Sequence, residues 1–148
     1  MALYMIRRSA LAITAGNDVM TLITASNRKM RLWEVSASGL GTTSAANEFF
    51  FGPSTAGTTG GGALTPTPVD PDSVAAGMTV NTTWSAQPTL GAHGLAFGVN
   101  ANGGTYRWVA RSGEEIVARN GHASAPQLSY RVVSGSSTIT THVVIEEF

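Results

Sequence analysis

Short runs of alternating apolar and polar residues, each closed by Gly, Asn, Asp or Pro, recur from one end of this chain to the other. That two-residue period admits strands and excludes helices as the main element. After the turn Gly16-Asn17-Asp18, the series Val19, Thr21, Ile23, Ala25 alternates with Met20, Leu22, Thr24, and both faces are apolar enough for a central strand. From Arg28 to Val35, residues Arg31, Trp33 and Val35 point one way while Met30, Leu32 and Glu34 point the other. Ser36 to Ala46 reads as loop, and Asn47 to Phe51 is a strand with three consecutive phenylalanines.

Residues 52–77 show no sustained period and are rich in Gly, Thr and Pro, with Pro53, Pro66, Pro68 and Pro71. Loops longer than about 12–15 residues are uncommon in compact domains and usually functional or disordered, so contact with an outside partner is expected here, with a flexible linker as the alternative. Beyond it, strands are predicted over Met78–Trp84, Gly94–Val99, Thr105–Arg111, Glu115–Arg119, Gln127–Val133 and Ile139–Glu147. Asn100-Ala101-Asn102-Gly103-Gly104 is the clearest hairpin signal, because Asn and Gly accept the positive φ of tight connections. In the strand that follows, Tyr106, Trp108 and Ala110 should face the core, with Arg107 and Arg111 in solvent or at an interface.

Composition agrees with this reading. Only 12% of residues are charged, about half the usual ~25%, while 18 Thr and 14 Ser supply much of the polar surface. Helical surfaces use Glu, Lys, Arg and Gln instead. The expectation is one all-β domain over residues 1–148: a jelly-roll-like antiparallel β-sandwich or barrel, with an N-terminal arm at 1–8 and a long Gly/Thr/Pro-rich loop at 52–77.

Several function classes fall away. With no Cys, thiolate metal sites, thiol nucleophiles and disulfides are excluded, and a net charge of zero with a single Lys argues against direct nucleic-acid binding. No apolar run approaches the ~20 residues of a membrane-spanning helix, and the apolar stretch after Arg7-Arg8 is short for a secretory signal. No G-x-S-x-G elbow is present, and His93, His122 and His142 lack metal-site spacing. Glu114-Glu115 and Glu146-Glu147 are adjacent, so each pair splits between opposite sheet faces and cannot converge as a glycosidase pair does; one member of each is expected in solvent and the other at an edge or contact. Gly60-Gly61-Gly62 lacks the Lys and helix of a phosphate loop, and Asn81-Thr82-Thr83 matches a glycosylation sequon that arises often by chance. The reading is therefore no enzyme, no cofactor and no metal. Trp33 and Trp108 are read as core, and Trp84 as the exposed aromatic.

Taken together, Arg28-Lys29-Met30-Arg31-Leu32-Trp33-Glu34-Val35, the Gly/Thr/Pro excursion, the segment Thr105 to Val117 and the terminal Thr141 to Phe148 make the chain resemble the head decoration (cement) proteins of tailed bacteriophages. The resemblance rests on strand order, size and composition. It implies a β-rich, jelly-roll-like structural virion protein, made in the host cytoplasm and seated as a homotrimer on the outer capsid surface, where it bridges major capsid proteins. The partner-facing residues expected on this basis are Tyr4, Ile6, Arg7, Arg8, Phe49, Phe51, Trp84, Arg107 and Arg111. A carbohydrate- or receptor-binding β-sandwich using Trp84 and Tyr106 is the alternative, and a cupin- or lyase-like enzyme the weaker rival.

Overall fold

The computed structural model describes residues 2–55, 58–123 and 125–148. They form thirteen strands: β1 (Ala2–Ala12), β2 (Asp18–Ile23), β3 (Lys29–Leu40), β4 (Ala46–Ser54), β5 (Thr58–Gly61), β6 (Thr67–Pro68), β7 (Thr79–Asn81), β8 (Thr83–Ala86), β9 (Leu95–Asn100), β10 (Asn102–Val109), β11 (Ile116–Arg119), β12 (Gln127–Ser134) and β13 (Thr138–Glu147). The protein is an all-β, antiparallel sandwich with no helix among the described residues.

Eight strands make its frame. One sheet has the order β10-β3-β13-β1, extended by β6 beyond β1 and by β11 beside β10 on the edge of β3; the other runs β7-β2-β12-β4-β9. Counted along the eight frame strands, the first pairs with the eighth, the second with the seventh, the third with the sixth and the fourth with the fifth. The chain is thus one long antiparallel ribbon, doubled back at its middle and rolled so that β13 meets β3 and β12 meets β4. That is the jelly-roll connectivity.

Alternation selects what the two sheets bury between them. From the first sheet come Tyr4, Ile6, Met30, Leu32, Val35, Ala37, Ile139, Val143 and Ile145, and from the second Met20, Leu22, Phe49, Phe51, Leu128, Tyr130 and Val132. Phe49, Phe51, Phe97 and Tyr130 form an aromatic cluster with ring centroids 5.2–6.0 Å apart, and Tyr106 stacks on Phe97 at 4.1 Å.

Five expectations are corrected. Of the arm expected at 1–8, Met1 lies outside the described residues and the rest is no arm: Ala2–Arg8 belong to β1, paired with β13 throughout, with Tyr4 and Ile6 in the core. Ser36–Leu40 is strand, because Ala37 and Gly39 are the inward positions of β3 where the β9–β10 connection crosses closely. The 52–77 excursion is split: Gly52–Ser54 completes β4, and β5 and β6 pair with β8 and β1. The Asn100–Gly104 turn is tight, but it carries the chain from one sheet to the other, since β9 pairs with β4 and β10 with β3. Finally, Trp33 leaves the core. Glu34 pairs with Val144 and Leu32 with Ile145, so Trp33 is the extra residue of a β-bulge that inverts the parity of β3 and lets both Leu32 and Val35 point inward.

Candidate functional site

The two sheets treat their outer faces differently. On the second sheet the outward side chains Thr21, Gln127, Ser129 and Ser54 are buried, because the chain from Thr83 to Leu90 lies over them. Trp84 donates its indole N–H to Thr21 Oγ1 (2.8 Å), Gln87 Oε1 accepts from the Asp18 amide (3.1 Å), and Arg131 donates to the Pro88 carbonyl (2.7 Å). Ser54 and Ser129 hydroxyls meet at 2.7 Å, and Gln127 donates to the Thr55 carbonyl (2.8 Å). Most buried polar groups in proteins are hydrogen-bonded, and these four side chains follow the rule.

The first sheet keeps its outer face open. Register places its outward residues in rows across the strands: Leu3, Glu146, Arg31, Val117; then Met5, Val144, Glu34; then Arg7, His142, Ser36, Arg107. Val109 lies opposite Glu34 and completes the middle row. Leu3, Met5, Val109 and Val117 are between 37% and 48% exposed, an apolar content that an ordinary solvent-facing row of strands does not carry. Shallow grooves of about 540 and 300 Å³ flank Met5 and Leu3, the first lined with Leu64, Thr67 and His142, the second with Val69 and Glu146.

Charges on this face are matched in place. Arg107 grips Glu34 with two hydrogen bonds (2.8 and 2.9 Å), which hold the Glu34 carboxyl below the usual carboxylate range and raise the Arg107 guanidinium. Glu146 Oε2 accepts from the Trp33 indole (2.9 Å) and sits 2.9 Å from Arg31 Nε, a charge contact without hydrogen-bond alignment. Arg31 also lies over the Phe148 ring at 4.2 Å.

Of the nine expected partner residues, the face collects two, Arg7 and Arg107, in one row. Tyr4, Ile6, Phe49 and Phe51 are fully or almost fully buried and cannot meet a partner; alternation assigns them to the core because each is preceded and followed by a residue that points outward. Arg111 is exposed in the turn after β10, where its carbonyl accepts from Glu114. Arg8 and Trp84 lie together in a separate cleft at the end of the sandwich. Trp84 is half-buried and pinned rather than freely exposed. Sequence reasoning missed Leu3, Met5, Val109, Val117 and Val144; the outward apolar parity of β1 and β13 was the available signal.

The buried acids are engaged. Asp18 pairs with Arg131 (2.6 Å) and accepts from Thr21 (2.6 Å), and Glu147 accepts from the Gly77 amide (2.8 Å) and lies 3.3 Å from Arg28. Glu146 and Glu147 do point to opposite faces, but both are buried, so neither takes the solvent position expected for one of them. Among the described residues no three His, Asp or Glu are placed to hold a metal ion. No protein-family model, curated protein or solved structure matches the chain.

Proposed function

We propose that this protein is a structural virion component: a jelly-roll clasp on the outer surface of a phage capsid that stabilises contacts between major capsid proteins. The observation that carries the reading is the asymmetry of the two outer faces. One is covered across Thr21, Ser54, Gln127 and Ser129 by the chain's own Thr83–Leu90 segment and leaves Glu48, Ala96, Gly98 and Val133 exposed beyond it, while the other presents Leu3, Met5, Val109 and Val117 among locally neutralised ion pairs. A face of that composition suits a broad protein contact: apolar side chains supply the driving force, and paired charges supply register without long-range attraction.

Magnitudes favour several copies acting together. Completing the burial of four half-exposed side chains yields about 1 kcal/mol each, whereas association costs about 4–15 kcal/mol. A single face is therefore weak unless the grooves beside Leu3 and Met5 are also filled. A homotrimer joined on the capsid turns the second and third contacts into intramolecular events and multiplies avidity.

Co-sedimentation with heads assembled from the major capsid protein of the same virion tests the proposal. Wild type is expected to pellet with heads, with little loss as salt rises. Leu3→Glu and Val117→Glu are expected to abolish attachment while unfolding at the wild-type temperature. Failure of the wild type to pellet, or full attachment of both variants, overturns the reading.

A further inference from the structure

A cleft of about 330 Å³ opens where the end of β1 and the β1–β2 connection face β8, away from the outer face of the first sheet. Arg8, Asn17, Asp18, Thr83, Trp84 and Gln87 line it. Arg8 is out of place by pattern: it follows Tyr4 and Ile6 on the inward parity of β1, where an apolar residue belongs. Just beyond it β1 is irregular, and Ala10 adopts a φ of +49°. The Arg8 guanidinium reaches across the mouth of the sandwich to donate to the Val19 carbonyl.

Among the described residues that charge has no counterion. The ion pairs of the described residues engage Arg28, Arg31, Arg107 and Arg131, and none engages Arg8. The acid beside the cleft, Asp18, has its carboxylate buried beneath it and already held by Arg131 and Thr21. Burial lowers the Arg8 pKa, the mark of a cation partly stripped of water. A half-buried guanidinium in that state gains most from a planar anion that accepts two of its N–H groups.

The rest of the cleft is pre-set. Trp84 is anchored through its indole N–H to the buried Thr21, and Gly60 of β5 lies against its ring edge, where an added Cβ would sit 3.0 Å from Cζ3. Gln87 is held by the Asp18 amide through Oε1 and donates to Asn17 Oδ1 at 3.4 Å, which orients both amides. A fixed indole, two oriented amides and a threonine hydroxyl suit a sugar ring, which offers an apolar C–H face and a rim of hydroxyls.

We infer that this cleft binds a pyranose carrying a carboxylate, a uronic acid unit of a polysaccharide, with Trp84 against the ring, Arg8 on the carboxylate, and Asn17 and Gln87 on the hydroxyls. The site is independent of the capsid-facing surface, since none of its lining residues belongs to the outward rows of the first sheet.

Calorimetric titration of the intact protein with oligomers of galacturonate, glucuronate and mannuronate tests it, with galacto- and gluco-oligosaccharides as neutral counterparts and acetate as the carboxylate alone. At least one uronate series is expected to bind about tenfold or more tightly than its neutral counterpart, and acetate not to bind at the same concentrations. Arg8→Gln is expected to remove the preference, and Trp84→Ala to remove binding altogether. Gln87→Ala, at the cleft wall, is expected to weaken uronate binding and serves if Arg8→Gln does not fold. No uronate binding, equal binding of neutral sugars, acetate competing as well as the sugar, or unchanged binding in the variants overturns the inference.

Discussion

Asp18 Oδ1 and Arg131 Nε meet at 2.6 Å in the covered layer of the second sheet, where the Asp18 side chain has no contact with solvent. A β-bulge creates the pairing: Tyr130 opposes Met20 and Arg131 opposes Asp18, so Val19 is passed over and the two charges come level. Removing one member of such a pair leaves the other buried and uncompensated, at about 3–5 kcal/mol. Asp18→Ala is expected to lose that much in urea unfolding, and Asp18→Ala combined with Arg131→Met less than the sum of the two single losses. A single-variant loss under about 1 kcal/mol would mean that water reaches the layer.

On the opposite face, Glu34 and Arg107 predict a pH dependence of definite sign. Arg107 depresses the folded-state pKa of Glu34, so the stabilisation is complete above the unfolded value of about 4.3 and is lost as pH falls through the lower folded value. Because Arg107 is largely exposed, the effect is small and screened by salt. Glu34→Gln should melt below wild type at pH 7, with a smaller gap at about pH 3, below the unfolded value, and in high salt. Thermal unfolding at the two pH values checks this; a gap that widens in acid contradicts it.

Tyr130 is the one aromatic of the core cluster whose polar atom is wasted. It is fully buried and its hydroxyl makes no well-aligned hydrogen bond among the described residues; the neighbouring Thr141 hydroxyl donates to the Ser36 carbonyl (2.7 Å) and offers Tyr130 only a weak contact. Burial accordingly drives the phenol pKa far upward, with Thr141 opposing the shift only in part. An unsatisfied buried hydroxyl costs about 1–3 kcal/mol, so Tyr130→Phe is expected to be neutral or to stabilise by about 1 kcal/mol. Tyr130→Ala, which empties the space between Phe49 and Phe51, should cost about 3–5 kcal/mol. A destabilised Tyr130→Phe protein would reveal a partner for the hydroxyl.

The strand class and most strand positions were legible because alternation is a local property: Phe49 and Phe51 against Phe50, or Tyr106 and Trp108 against Arg107, can be read without knowing any neighbour. Parity breaks were not legible. Nothing around Trp33 announces the bulge against β13, which falls where the other edge of β3 passes from β10 to β11. The destination of the Asn100–Gly104 turn was equally hidden, since turn chemistry dictates a reversal but not which sheet receives the returning strand. The candidate surfaces were legible only in part. Arg7 and Arg107 were visible as exposed charges, but their shared row depends on β13 lying between β1 and β3, and the Arg8–Trp84 cleft depends on Thr83–Leu90 folding back over the second sheet.

Gly39 shows how a residue that reads as loop can be demanded by packing. It occupies an inward position of β3 opposite Ile139, and the β9–β10 connection passes so near that a Cβ there would lie 2.1 Å from the Asn100 carbonyl oxygen and 2.4 Å from that of Ala101. Both obstacles are backbone, held by the Ala101 amide bonding to Ala45 and the Ala101 carbonyl accepting from Gly41. Neither can swing away as a side chain would, so Gly39→Ala must push the inter-sheet turn off the edge of the sandwich, at about 1–3 kcal/mol or more by analogy with overpacked cores. Gly98→Ala, on β9 with its nearest contact at an ordinary 3.6 Å, is the matched control and should change stability by less than about 0.5 kcal/mol. Chemical unfolding of the two variants decides the matter: equal midpoints would mean that the turn does not seat against β3 as closely as the structure has it.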